Sequence, residues 1–151
     1  MNKIEQLYYK ILKENDLMEN QKFANSKVKG VVWRVGNIQL SNYDDAIWFG
    51  DSKIEVEKFT KLQYNKSGEG KPYYINLSNP YIFKDFWSDY LKKAGPSIEH
   101  RKAFNKTLKE KGYDGVIIGE DVWYDSADEE QMVRGEQYLV FDRDQVAEIK
   151  S

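Results

Sequence analysis

The chain has 151 residues, enough for one domain with a real core and too few for two. Its net charge of -2 leaves no basic field to draw in nucleic acid. With no cysteine and one histidine, His100, it can form neither disulfides, thiolate nucleophiles and cysteine zinc sites nor multi-histidine metal sites.

Ile4, Leu7, Tyr8, Ile11 and Leu12 recur at helical spacing, and Asn2 with Glu5 has the form of a capping box. They predict an amphipathic helix from Asn2 to Asp16. Charges in the first five positions are unlike a secretory signal, and no apolar run reaches the ~20 residues of a membrane span. Both features lead to the expectation of a cytoplasmic protein. A polar connector through Lys29 leads into the core, residues 30–151, of a single domain.

The first predicted strand is Gly30 to Val35, with Val31, Trp33 and Val35 on one face and Val32 and Arg34 on the other. Ala46 to Phe49 reads as a short buried strand. Ser52 and Glu55 then open a helix carrying Ile54, Phe59 and Leu62 along one side. Pro72 to Leu77 is a strand closed by Asn79-Pro80. Ile82 to Ala94 and Ser97 to Lys111 read as helices, separated by Gly95-Pro96 and ended by Gly112. Gly115 to Ile118 and Gln137 to Phe141 are strands flanking a long polar loop, Gly119 to Gly135. Strands and helices are interspersed without regular βαβ alternation, which gives the class α+β.

Three groups of residues could carry chemistry. Arg34 sits mid-strand, where a charge is costly unless it is paired or faces a cleft, and its planar fork of donors suits phosphate and ribose. A structural ion pair at a strand edge is the competing reading. In Trp48-Phe49, a flat aromatic at a strand end could stack on a cationic ring, or both rings could be core, as Phe49 reads. Ser52 reads as an N-cap. The acids Glu120, Asp121, Asp125, Asp128, Glu129, Glu130 and Glu136 surround the last two strands, and most are a solvated loop face. Val122-Trp123-Tyr124 makes an apolar cluster in the loop, either exposed for a partner or folded back on the core. His100 reads as surface.

Gly112-Tyr113-Asp114-Gly115-Val116-Ile117-Ile118, the acidic loop, and the ending Glu136-Gln137-Tyr138-Leu139-Val140-Phe141-Asp142 resemble the ADP-ribosyltransferase-like domains of phage and mobile-element polyvalent proteins. The last strand of those domains typically reads Glu-Tyr-Val-Val-Phe-Asp, followed by Gln-Ile-Lys. Val32 to Gly36, Ala46 to Gly50 and Tyr73 to Pro80 are similar to their earlier strands. The resemblance covers about Val31 to Lys150.

This likeness implies split sheets around an NAD cleft, with the N-terminal helix as an addition. Arg34 would then anchor NAD. Trp48, with Phe49 and Ser52 near it, would meet the nicotinamide. One carboxylate would stabilise the oxocarbenium-like charge as nicotinamide leaves. No metal is implied. The implied activity is mono-ADP-ribosyl transfer from NAD to a host macromolecule, a protein, in phage–bacterium conflict, with the 119–135 loop recognising the target.

The sequence departs from this pattern at one place. Gln137, not glutamate, directly precedes Tyr138, and Glu136 lies one residue earlier, on the opposite face of a regular strand. Glu136 serves, alone or with Gln137, if a bulge or the loop end turns it inward, which Gly135 permits; otherwise Gln137 faces the cleft, where a neutral amide stabilises a developing cation far less. Glu120 is the alternative carboxylate, and a site without one is the third possibility. In that case the chain is a degenerate transferase fold that binds a protein partner as an inhibitor. NAD hydrolysis would use the same cleft with water as nucleophile.

Overall fold

A computed structural model describes residues 2–8, 23–42, 44–124, 128 and 131–149. Its elements run β1 (Val32–Arg34), β2 (Ile47–Gly50), α2 (Lys53–Tyr64), β3 (Lys71–Ile75) and β4 (Pro80–Phe83). A π-helical turn (Phe86–Tyr90), α3 (Leu91–Ala94), α4 (Ile98–Glu110), β5 (Gly115–Tyr124) and β6 (Val133–Val140) follow. A 3-10 turn (Arg143–Gln145) and β7 (Val146–Glu148) come last. Residues 3–8 form the described part of the N-terminal helix, α1, and the rest of the predicted span to Asp16 lies outside the described residues. Tyr8 meets Trp33 edge to face at 5.9 Å, so α1 touches the sheet there, while Ile4 and Leu7 are exposed. Among the described residues, no helix is long and apolar enough to cross a membrane.

The architecture is α+β, and the described residues form seven strands in one mixed sheet in the order β4-β5-β6-β2-β1-β3-β7. Every pairing is antiparallel except β4 with β5. Two separate sheets were expected; hydrogen bonding is instead continuous across all seven strands. Chain length forces that sheet to curl. In strand order β3 and β4 are five spacings apart, about 24 Å if flat. The chain covers only Ile75 to Pro80 between them, about 17 Å at full extension. The inner face therefore closes on itself, and Leu77 packs so near Gly115 that a methyl there would lie 2.4 Å from Leu77 Cδ2.

Strand alternation sorts the core into two clusters. Val32, Phe49, Tyr73, Ile117, Tyr138 and Val140 fill the inner face. Val116, Ile118, Leu139 and Phe141 point outward, to Phe83, Tyr90, Ala94 and Leu108 beneath the π-turn, α3 and α4. Burying both faces explains the near-continuous apolar run Tyr138 to Phe141.

Three element assignments change. Residues 80–83 form an edge strand, not the approach to a helix, because parallel pairing with Gly115–Ile118 satisfies their backbone. The helix predicted from Ile82 starts later, as the π-turn capped by Asp85, whose carboxylate accepts from Ser88 and Asp89 N–H. The long loop 119–135 is in large part hairpin, since β5 runs to Tyr124 and β6 begins at Val133. Asp125, Glu129 and Glu130 lie outside the described residues.

Candidate functional site

Arg34 is the last residue of β1, not a mid-strand residue. Its Nη1 donates to the Trp48 carbonyl at 3.0 Å and its Nε to the Asn37 carbonyl at 3.0 Å. The side chain thus supplies β2 with a donor where β1 has ended. Its burial lowers the guanidinium pKa, against the favourable fields of Tyr73, Tyr64 and Asp44. Among the described residues, no carboxylate forms an ion pair with it. It lines a cavity of about 520 Å³ with Gln39, Leu40, Ser41, Asn42 and Ile98. A half-buried cation that faces a polar cavity and forms no ion pair among the described residues can take an anionic oxygen.

The carboxylates gather elsewhere, where β2, β5 and β6 end together. Ile118 pairs with Gln137 and Asp121 with Gly135, so Gly119 and Glu120 together oppose Glu136. The bulge expected near Glu136 is therefore in the partner strand. Glu136 lies on the inner face through simple alternation with Tyr138 and Val140.

Glu136 is half-buried, and that burial raises its carboxyl pKa. The neighbouring Tyr138 hydroxyl opposes the shift, while the charges of Asp51 and Glu120 add to it. Asp51 follows β2 directly, and its N–H donates to the Glu136 carbonyl at 3.2 Å. Burial raises the Asp51 carboxyl pKa too, and the nearby Glu136 N–H opposes that rise. Gly135, at φ +128°, makes room: a methyl there would lie 2.4 Å from Asp51 Oδ1. Glu120 is exposed beside this pair.

The other sequence candidates sit on the outer face or in the core. The Trp48 indole N–H donates to the Asp44 carboxylate, and its ring meets Tyr90 edge to face at 5.9 Å. Trp48 packs with Leu139 and Tyr90, on the side of the sheet opposite Glu136. One nicotinamide ring cannot touch both residues. Phe49 is core, edge to face with Tyr73 at 5.6 Å. Ser52 caps α2, accepting the Glu55 N–H at 3.4 Å. Gln137 does not face a cleft: it is 1% exposed on the outer face, and neither amide atom has a partner among the described residues. Val122 is half-buried, and Trp123 folds back onto Phe59 of α2 with ring centroids 4.7 Å apart. The Tyr124 side chain lies outside the described part.

Sequence reasoning missed Asp51, Tyr138 and Asp44. Tyr138 was within reach of it, because residues i and i+2 of a strand share a face. Asp51 was not, because only the β2–β6 register brings it to Glu136. Asp44 is 3% exposed and carries the Trp48 bond, the Ala46 N–H, and the Asn105 amide on its carbonyl. Burial raises its pKa, a cost that the hydrogen bonds from Trp48 and Ala46 offset in part. Among the described residues, no group of three His, Cys, Asp or Glu side chains is arranged to hold a metal.

No protein-family model, curated protein or solved structure matches the chain.

Proposed function

We propose that this chain is a mono-ADP-ribosyltransferase of the polyvalent-protein type, moving ADP-ribose from NAD to a host protein. The reading places its action in the host cytoplasm during phage–bacterium conflict. The observation that carries it is Glu136, a half-buried carboxylate on the inner face, beside the Tyr138 hydroxyl and flanked by Asp51.

Transfer breaks the bond between ribose C1′ and the nicotinamide nitrogen. The bonding pair leaves with nicotinamide, and C1′ becomes oxocarbenium-like. An ionised Glu136 stabilises that charge and accepts a hydrogen bond from the ribose 2′-hydroxyl, and Tyr138 holds its carboxylate in place. The acceptor's nucleophile then bonds C1′ and loses its proton. Arg34 takes the pyrophosphate at its cavity. β2 alone separates β1 from β6, about 10 Å across, which an extended dinucleotide spans. Trp48 supports β2 from the outer face in this reading and does not stack on nicotinamide.

The second reading, a degenerate fold that inhibits a protein partner by binding, is favoured by Gln137. The residue in register with the family's glutamate is neutral and out of solvent. Labelled NAD incubated with host lysate separates the two. Label on a discrete protein band, lost in both Arg34→Ala and Glu136→Gln, supports the transferase. Nicotinamide released without a labelled band indicates hydrolysis, with water as the nucleophile. Neither NAD binding nor turnover refutes both enzyme readings and leaves the inhibitor.

A further inference from the structure

Beneath α2 lie three buried polar side-chain atoms with no partner among the described residues: both amide atoms of Gln137 and the indole N–H of Trp123. They share one neighbourhood. Gly50 pairs with Gln137 in register, so the two point to the same face. A methyl at Gly50 would lie 2.6 Å from Val56 Cγ2 and 3.9 Å from Trp123 Cζ2. Val56 of α2 and the Trp123 ring, on which Phe59 of α2 packs, therefore lie over Gly50, the strand partner of Gln137.

The cover is lightly attached. Val56 is the one fully buried side chain of α2, while Ile54 is 71% exposed. Much of its hold on the sheet is polar and close to solvent. Lys58 donates to the Met132 carbonyl at 2.8 Å, and the Glu55 carboxylate accepts from Arg134 N–H at 3.1 Å. Buried donors and acceptors without partners disfavour the closed arrangement, and a weakly packed helix opens at low cost.

We infer that α2 is a hinged cover over a concealed binding site, and that the site takes an amide group. The donor and acceptor pattern selects the ligand. A ligand carbonyl would accept from Gln137 Nε2 and Trp123 Nε1, and a ligand N–H would donate to Gln137 Oε1. All three orphaned atoms are then satisfied by one planar amide. A carboxylate of the same shape offers no donor to Gln137 Oε1 and brings a buried charge. The site needs neither NAD nor Glu136, so it stands apart from the transferase reading.

Benzamide and benzoate serve as probes, with binding followed by ligand-observed NMR and cover motion by amide hydrogen exchange. Benzamide should bind at least tenfold more tightly than benzoate. Its binding should fall at least tenfold in Gln137→Met and in Trp123→Phe, which keeps the ring and removes the donor. Glu136→Gln should leave it unchanged. Exchange across residues 53–64 should be faster than in β5 and β6, slower in Gln137→Met, and faster in Gly50→Ala, whose methyl would push on Val56. Loss of benzamide binding in Glu136→Gln alone would put the amide on the inner face and overturn the inference. Equal binding of the two probes, or exchange of α2 in step with β5 and β6, would overturn it as well.

Discussion

Gly135 tests whether the carboxylate cluster is built as described. Alanine there meets two penalties. A residue with a side chain rarely adopts φ +128°, and holding it there costs about 1–3 kcal/mol. The new methyl would also lie 2.4 Å from Asp51 Oδ1, so the carboxylate must leave. Its interaction with the Glu136 N–H goes with it; for an exposed carboxylate that loss is about 1 kcal/mol or less. The sum is about 3 kcal/mol, or a fall in Tm of about 10 °C for a chain of this size.

Gly112 supplies the control. It has φ +94° and nothing within 4 Å of its missing methyl, so Gly112→Ala carries strain without collision. Its cost should be about 1–2 kcal/mol. Thermal unfolding followed by far-UV circular dichroism, in wild-type and Asp51→Ala backgrounds, completes a double-mutant cycle. Removing Asp51 first should reduce the cost of Gly135→Ala to that of Gly112→Ala, a coupling of about 1 kcal/mol or more. Additive effects would mean that Asp51 does not occupy the space beside Gly135, and the Asp51–Glu136 pairing would be wrong.

Glu136 and Asp51 both have carboxyl pKa values raised above the ordinary one, so the folded state holds their protons more tightly than the unfolded state. Their contribution is present below the ordinary carboxylate pKa and lost as pH rises through the folded pKa. Glu136→Gln should flatten that decline and raise Tm at pH 8, and on the proposed transferase reading wild-type activity should rise with pH as Glu136 ionises; parallel Tm profiles from pH 4 to 8 would count against the burial of this group. Gln145 accepts from Phe141 and Asp142 N–H and donates to the Asn76 and Asp114 carbonyls, four bonds of 2.8–3.1 Å. Gln145→Ala should cost about 2–4 kcal/mol by equilibrium urea unfolding, and a loss under 1 kcal/mol would show the bonds to be replaceable by water. Gln137→Glu places a carboxyl at a position 1% exposed without a partner, so its Tm should drop at pH 8 and recover on acidification; a Tm independent of pH would mean that α2 already stands open.

The helices and inner strands were legible because their signals are local. Ser52 with Glu55 starts α2 within a residue of the expected place, and Gly112 ends α4. The edge strands were not. Tyr81-Ile82-Phe83 is a strand because β5 runs beside it, and nothing in the sequence announces that partner. Residues 119–135 looked like loop because the stretch is rich in acids and bounded by glycines, yet β5 runs on to Tyr124, with Val122 and Trp123 half-buried. A curled sheet cannot be read from periodicity at all; it comes from the short span between β3 and β4.

The candidate site was half legible for the same reason. Glu136 was found through likeness, but its environment depends on register. Counting two residues along β6 gives Tyr138, whereas finding Asp51 requires knowing that Gly50 lies opposite Gln137. Trp48 stayed open between stacking and core because β2 is buried on both faces. An aromatic there can be core on the outer face just as Phe49 is core on the inner one.

The single residue between Glu136 and Gln137 decides how the whole hairpin is read. At position 136 a carboxylate meets a tyrosine hydroxyl and partial solvent, so its charge can be used. At position 137 the same group would face Val56 and Trp123 under α2, where an ionised carboxylate is costly. The amide at 137 is thus the side chain that this buried position tolerates, and it need not mark a lost catalytic acid. On the proposed reading, chemistry that requires negative charge belongs on the inner face at Glu136. The amide recognition we infer, which requires a neutral donor and acceptor, belongs on the outer face at Gln137.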